Sequence, residues 1–155
     1  MGWGADNCLY VCDEWRWDSS TKLGRQRTDA QYSEEFRRWI AAHGVAPQWN
    51  YVDPSAASFI TQLYADRVPH IAPADNSVIN GIRRVGSLLG SGRLKIHRRC
   101  TGLIKEISGY VWDTKAQQRG EDVPLKRADH GPDALRYFAN GTRNIWSAWV
   151  TVKGG

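Results

Sequence analysis

The feature that most constrains this chain is a junction, QWNYVDPSAASFI, in which a short apolar run ends in Asp53 and passes within a few residues into apolar positions at helical spacing, Ala56, Phe59, Ile60 and Leu63. An extended run that turns directly into a helix is half of a β-α-β unit, and the chain repeats the device. PHIAPAD reads as a second short strand, and Ser77 then opens a helix with Val78, Ile82, Val85 and Leu89 on one side before Gly90 and Gly92. Earlier, CLYVCDEWRW over residues 8–17 carries apolar residues on both parities, as a strand covered on both faces does. Thr28-x-x-Gln31 is a capping box for a helix presenting Tyr32, Phe36 and Ile40 and stopping at Gly44. RLKIHRR alternates like an edge strand, residues 101–112 begin as a short helix, and residues 114–127 read as a loop. DHGPDALRYFA starts a last helix, with Pro132 in its first turn and Ala134, Leu135 and Phe138 following. The expected class is α/β, a mixed and partly parallel sheet flanked by helices, with one domain over residues 1–143 and a tail over 144–155.

A chain of 155 residues with 41% hydrophobic and 24% charged residues can bury a core and leaves no room for a second large domain. No apolar run is long enough to span a bilayer, and MGWGADNCLY lacks the order of a signal peptide, so a cytoplasmic location without membrane partners is expected. Cys8, Cys12 and Cys100 fit no disulfide framework and read as buried thiols. His97-x-x-Cys100 has no second pair to complete a zinc site, and no glycine-rich loop with a following lysine is present to bind ATP. The net charge is +5, and 15 of the 21 cations are arginine, a residue suited to bidentate phosphate contact. Arg83, Arg84, Arg93, Lys95, Arg98 and Arg99 form the densest basic patch. That patch reads either as a phosphate-binding surface or as a solvated face. Some of the 8 Trp could stack on bases, although such rings more often fill cores.

Two places could carry chemistry. Asp53 stands at the carboxyl end of a strand, where α/β sheets gather reactive groups, yet Asp-Pro is equally a helix-capping turn. Asp129, His130 and Asp133 crowd one segment, and the i,i+4 spacing of the two acids can place both on one helical face, where a divalent cation would relieve their repulsion. The competing reading is an acidic first turn that favours the helix dipole. His130 could orient a water, assist a leaving oxygen or bind substrate, but a lone histidine is more often a hydrogen-bonded structural residue. A small-molecule α/β enzyme using the strand end at Asp53 is a further reading.

EWRWDS from residue 14, VDPSAASFI at 52–60, NGIRRV at 80–85, CTGLIKEISGYVWD at 100–113 and KRADHGPDALRY at 126–137, taken in order, resemble the carboxyl-terminal nuclease domain of a tailed-phage terminase large subunit. The resemblance runs from about residue 8 to about residue 143, and D-H-x-x-D-A-L-R-Y with V-D-P-S is its most specific part. It implies an RNase H-like fold, Mg²⁺- or Mn²⁺-dependent endonuclease cutting of concatemeric double-stranded DNA, a bacteriophage or prophage origin, and terminase or portal subunits as further partners in the bacterial cytoplasm. The family's second metal-binding acid maps onto Asp53 and its third onto Asp133. His130 matches a position near the metals, Asp129 joins the segment, and Lys126 joins the DNA-contacting cations. The family's first strand and first acid should precede CLYVCDEW, where only seven residues stand, and neither Asp6 nor Glu14 matches that acid. The expectation is therefore an amino-terminally shortened domain, either a metal-dependent endonuclease or a catalytically incomplete DNA-binding or packaging-interaction module of the same fold.

Overall fold

The computed structural model describes residues 1–17, 26–108 and 130–150, and they form two compact units, one of Met1–Glu14 with Asp75–Gly155, the other of Trp15–Ala74. The larger unit holds a three-stranded mixed sheet in the order β1-β2-β5, with β1 Gly2–Trp3, β2 Leu9–Val11 and β5 Leu94–Ile96. β1 runs antiparallel to β2, and β2 runs parallel to β5 in the register Leu9↔Leu94, Tyr10↔Lys95, Val11↔Ile96. Helices α3 Val78–Gly90, α4 Thr101–Ser108, α5 His130–Gly141 and α6 Arg143–Trp146 complete it. The fold is thus the expected mixed α/β arrangement, and β5 is the expected edge strand.

Its core gathers Leu9 and Val11 from β2, Leu94 from β5, Leu88 from α3, Cys100 and Leu103 beside and within α4, Leu135 and Ala139 from α5, and Trp146 and Val150. Trp146 is fully buried, and its indole N–H donates to the carbonyl of Ala139 at 2.8 Å, so residues from the segment expected to be a tail belong to this core. The strand expected over residues 8–17 is shorter, Leu9–Val11, because its parallel partner β5 offers only three residues to pair with. Beyond the ladder, Glu14 turns to α4 and accepts from the backbone N–H groups of Gly102 at 2.6 Å and Leu103 at 2.9 Å, capping the start of that helix. Cys12 is correspondingly exposed, whereas Cys8 and Cys100 are buried as expected. On α3, Val85 and Leu89 pack against the core as expected, whereas Val78 is 37% exposed and the buried positions are Gly81 and Leu88. On α4 and α5, Ile104 and Ala134 likewise face solvent.

In the smaller unit, α1 Asp29–Ala42 starts at the expected capping box, with Gln31 N–H donating to Thr28 Oγ1 and Thr28 N–H to Gln31 Oε1, and the chain turns at Gly44 with φ +65°. Strands β3 Asn50–Val52 and β4 Ile71–Pro73 pair in parallel, joined by α2 Ala57–Ala65, as the junction at Asp53 predicts. Ser33 is buried in α1 and donates to Asp66 Oδ2 at 2.5 Å, while Leu63 is the fully buried residue of α2. No helix among the described residues is long and apolar enough to cross a membrane.

Candidate functional site

The α5 start carries His130 and Asp133. Pro132 sits in its first turn, where a missing N–H costs nothing, and Gly131 N–H donates to Glu106 Oε2 of α4 at 2.8 Å, so a carboxylate from a neighbouring helix satisfies one orphan donor. His130, the first residue of α5, is exposed. Asp133 lies in the same first turn and has a side chain 32% exposed, with Oδ1 accepting from Arg136 Nη2 at 2.7 Å.

Arg136 is the unexpected residue here. It is only 4% exposed, and its Nη1 also donates to the carbonyls of Asn76 at 2.9 Å and Ser77 at 3.2 Å, just ahead of α3. Its stem crosses α3 at Gly81, where an added Cβ would lie 2.6 Å from Arg136 Cδ and closer still to Cγ. One turn further along α5, Asn140 donates to the carbonyl of Asp75 at 2.8 Å and accepts from Arg84 Nη1 at 2.7 Å. Asp75 is held below the ordinary carboxylate range, first by the Ser77 hydroxyl that donates to it. The i,i+3 spacing of Asp133 and Arg136 was visible in the sequence, but the carbonyl partners and the clearance at Gly81 depend on long-range structure.

Asp53 directly follows β3, as expected. Its Oδ1 accepts from Ser55 N–H at 2.9 Å and its carbonyl from Ala56 N–H at 3.0 Å, which makes a tight turn into α2, and the residue is half-buried. The capping reading of Asp-Pro is therefore realised as an Asx turn, while the carboxylate keeps its strand-end position. Asp53 belongs to the smaller unit and Asp133 to the larger. Asp129 and Lys126 lie outside the described residues.

Carboxylates and an imidazole are suitable donors for a divalent ion, but a hard ion wants several oxygens. Among the described residues, no group of three or more His, Cys, Asp or Glu side chains gathers to hold one. Asp133 and His130 are thus at most part of a ligand set. At the other weighed pair, the Cys100 thiol is buried against the carbonyl of Val11 at 3.7 Å, and burial pushes its pKa up.

The basic residues divide by what they touch. The Arg84 side chain is 14% exposed and bonded to Asn140, with Asp75 at 3.7 Å. Arg93 donates to the carbonyl of Asp6 at 3.2 Å, and Lys95 stands 3.6 Å from the Asp6 carboxylate and over the Tyr10 ring. The Tyr10 hydroxyl, donating at 2.6 Å, holds Asp6 below its ordinary pKa. Arg99 is exposed with Asp13 3.9 Å away, and Arg83 and Arg98 are exposed. Of the six cations of the expected patch, Arg83, Lys95, Arg98 and Arg99 face outward.

The architecture is that of a terminase nuclease domain: the P22 large terminase nuclease domain superposes with a TM-score of 0.61 at 22% identity over 97% of this chain and 73% of that one. The chain is similar to terminase large subunits. It is 29% identical over 115 residues to the terminase large subunit of Escherichia phage T5, covering 72% of this chain and 26% of that protein. It is 38% identical, with a TM-score of 0.79, to the large terminase of the thermophilic bacteriophage D6E solved with ATP-gamma-S, covering 87% of this chain and 34% of that one. The chain thus spans about a quarter of the length of the first of these relatives and about a third of the second. No family model matches it.

Proposed function

We propose that the chain is the DNA-cutting domain of a phage packaging terminase, a divalent-metal-dependent endonuclease acting on concatemeric double-stranded DNA in the infected bacterial cell. What supports this reading most is where the two most specific motifs fall in a chain 38% identical to a large terminase: VDPS folds as a strand end turning into a helix, and HGPDALRY as the first turns of another, each presenting a carboxylate. Mg²⁺ or Mn²⁺, when bound, supplies neutralisation of phosphate charge and acidification of a bound water. The chain's own residues do the rest. Asp53 and Asp133 provide anionic oxygens, one oriented by its Asx turn and the other by Arg136. His130, exposed at the α5 start, orients the attacking water or gives a proton to the leaving oxygen. Arg98, Arg99, Lys95 and Arg83 contact DNA phosphates and set orientation without reading sequence. The test is nicking of supercoiled plasmid with Mg²⁺ or Mn²⁺ by the chain, by Asp53→Ala and by Asp133→Ala. Loss of nicking in both variants supports the reading; metal-independent cutting or unchanged variants overturn it.

A second reading, a non-cutting DNA-binding or packaging-interaction module of the same fold, is favoured by one observation: Asp133 Oδ1 already accepts from Arg136. Steeply salt-dependent DNA binding without cleavage at any metal concentration would support it.

A further inference from the structure

We infer that Arg136 is a positioning residue for Asp133, and that the α3–α5 crossing is built around it; the inference rests on the reading of Asp133 as part of the cleavage site. All the observations lie within the larger unit. A guanidinium only 4% exposed is a costly group to bury, and its Nε has no hydrogen-bond partner among the described residues. A residue needed only to fill the crossing would be apolar, as Leu135 and Ala139 on the same helix are. Arginine here also requires a neighbour without a side chain, since a Cβ at position 81 would lie 2.6 Å from its Cδ. These two costs buy one arrangement, a planar fork gripping three acceptors at once.

Nη1 is anchored on the carbonyls of Asn76 and Ser77, which belong to the backbone, so the guanidinium has a fixed place from which Nη2 reaches Asp133 Oδ1 at 2.7 Å. Asn140 and Arg84 brace the same backbone one turn further along, through the carbonyl and carboxylate of Asp75. The carboxylate of Asp133 is thereby restrained in direction. Lysine, a point donor on a flexible stem, cannot span carbonyl and carboxylate together in this planar manner.

The experiment compares Arg136→Lys, Arg136→Gln, Asp133→Asn and the Arg136→Gln/Asp133→Asn double variant in Mn²⁺-dependent plasmid nicking, and in urea unfolding of the metal-free chain in chelator. In nicking, Arg136→Gln should lower kcat by about 10- to 100-fold, the usual loss when a group that orients a ligand is removed. KM for DNA should stay within about twofold, and Arg136→Lys should recover part of the loss. In unfolding, the effect of Asp133→Asn on the folding equilibrium should shrink by about fivefold or more when Arg136 is already glutamine. Wild-type nicking with a folded Arg136→Gln variant of unchanged kcat overturns the inference, as does an additive cycle. If Arg136→Gln does not fold, Arg136→Lys carries both readouts. If the wild type does not nick with either metal, the nuclease reading falls, and the cycle alone decides whether Arg136 restrains Asp133: coupling supports the restraint, and additivity overturns it.

Discussion

Two glycines of α3 should respond oppositely to the same substitution. Gly81→Ala and Gly86→Ala each add one methyl inside a helix, a change that favours the helix by about 0.5–1 kcal/mol where the surroundings are empty. Around Gly86 nothing lies within 4 Å of the added carbon, so that gain should appear almost whole. At Gly81 the new carbon collides with the stem of Arg136, whose guanidinium is pinned by Asn76, Ser77 and Asp133 and cannot swing aside without losing bonds. Overpacking costs about 1–3 kcal/mol, and a weakened hydrogen bond from a charged group adds about 1.5–3 kcal/mol. Set against the propensity gain, Gly81→Ala should destabilise the chain by about 1.5–5.5 kcal/mol. The two variants would then differ by about 2.5–6 kcal/mol, a separation of at least about 1 M in the urea midpoint followed by far-ultraviolet circular dichroism. A Gly81→Ala midpoint at or above that of the wild type would refute the claim that α3 and α5 meet over an arginine that cannot yield.

Trp146→Ala should cost about 3–5 kcal/mol in urea unfolding, because the indole is fully buried and bonded to Ala139; a loss below about 1 kcal/mol would mean that residues 143–150 are not part of the core. Glu14→Ala removes the acceptor of two α4 backbone N–H groups and should cost about 1–2 kcal/mol, with faster hydrogen exchange at Gly102 and Leu103 as the local check. Asp6, Asp66 and Asp75 all have folded pKa values below the ordinary 3.8, led by hydrogen bonds from Tyr10, Ser33 and Ser77 respectively. Their contribution is complete above the unfolded value and lost as pH falls through the lower folded ones, so stability should be level from neutral pH to about 5 and decline below about 4; a rise in the urea midpoint on acidification would contradict this. Arg98→Ala should weaken DNA binding evenly across sequences and reduce the slope of log affinity against log salt by about 1, whereas Arg84→Ala should act mainly on folding, and filter binding at several salt concentrations separates the two.

Local signals were readable and long-range ones were not. The capping box of Thr28 and Gln31, the stop at Gly44, the strand end at Asp53 and the first turn containing Pro132 and Asp133 each depend on a few neighbouring residues, and the structure has them where the letters put them. The strand from residue 8 was read too long because apolar residues continue to Trp17, whereas its length is set by a partner more than eighty positions away. The inward face of α3 was legible only in part: Val85 and Leu89 pack against the core, whereas the close approach of Arg136 at Gly81 left no signal, because a glycine carries no apolar side chain. Glu14 and Glu106 look like ordinary surface acids until the helix starts that they cap are located. Arg84 counted toward a basic patch because charge is legible in a sequence and its hydrogen-bond partners, here Asn140, are not.

The larger unit is discontinuous in the chain, which leaves it after Glu14 and returns at Asp75. During synthesis on a ribosome, the arm bearing Leu9 and Val11 emerges well before Leu94 and Ile96, the residues that give it a place in the ladder. For that interval its apolar side chains have no native neighbours and depend on dilution or a chaperone to avoid misassociation. Rearranging the gene so that this arm is translated next to β5 should shorten the wait, raising soluble yield while leaving the finished architecture intact.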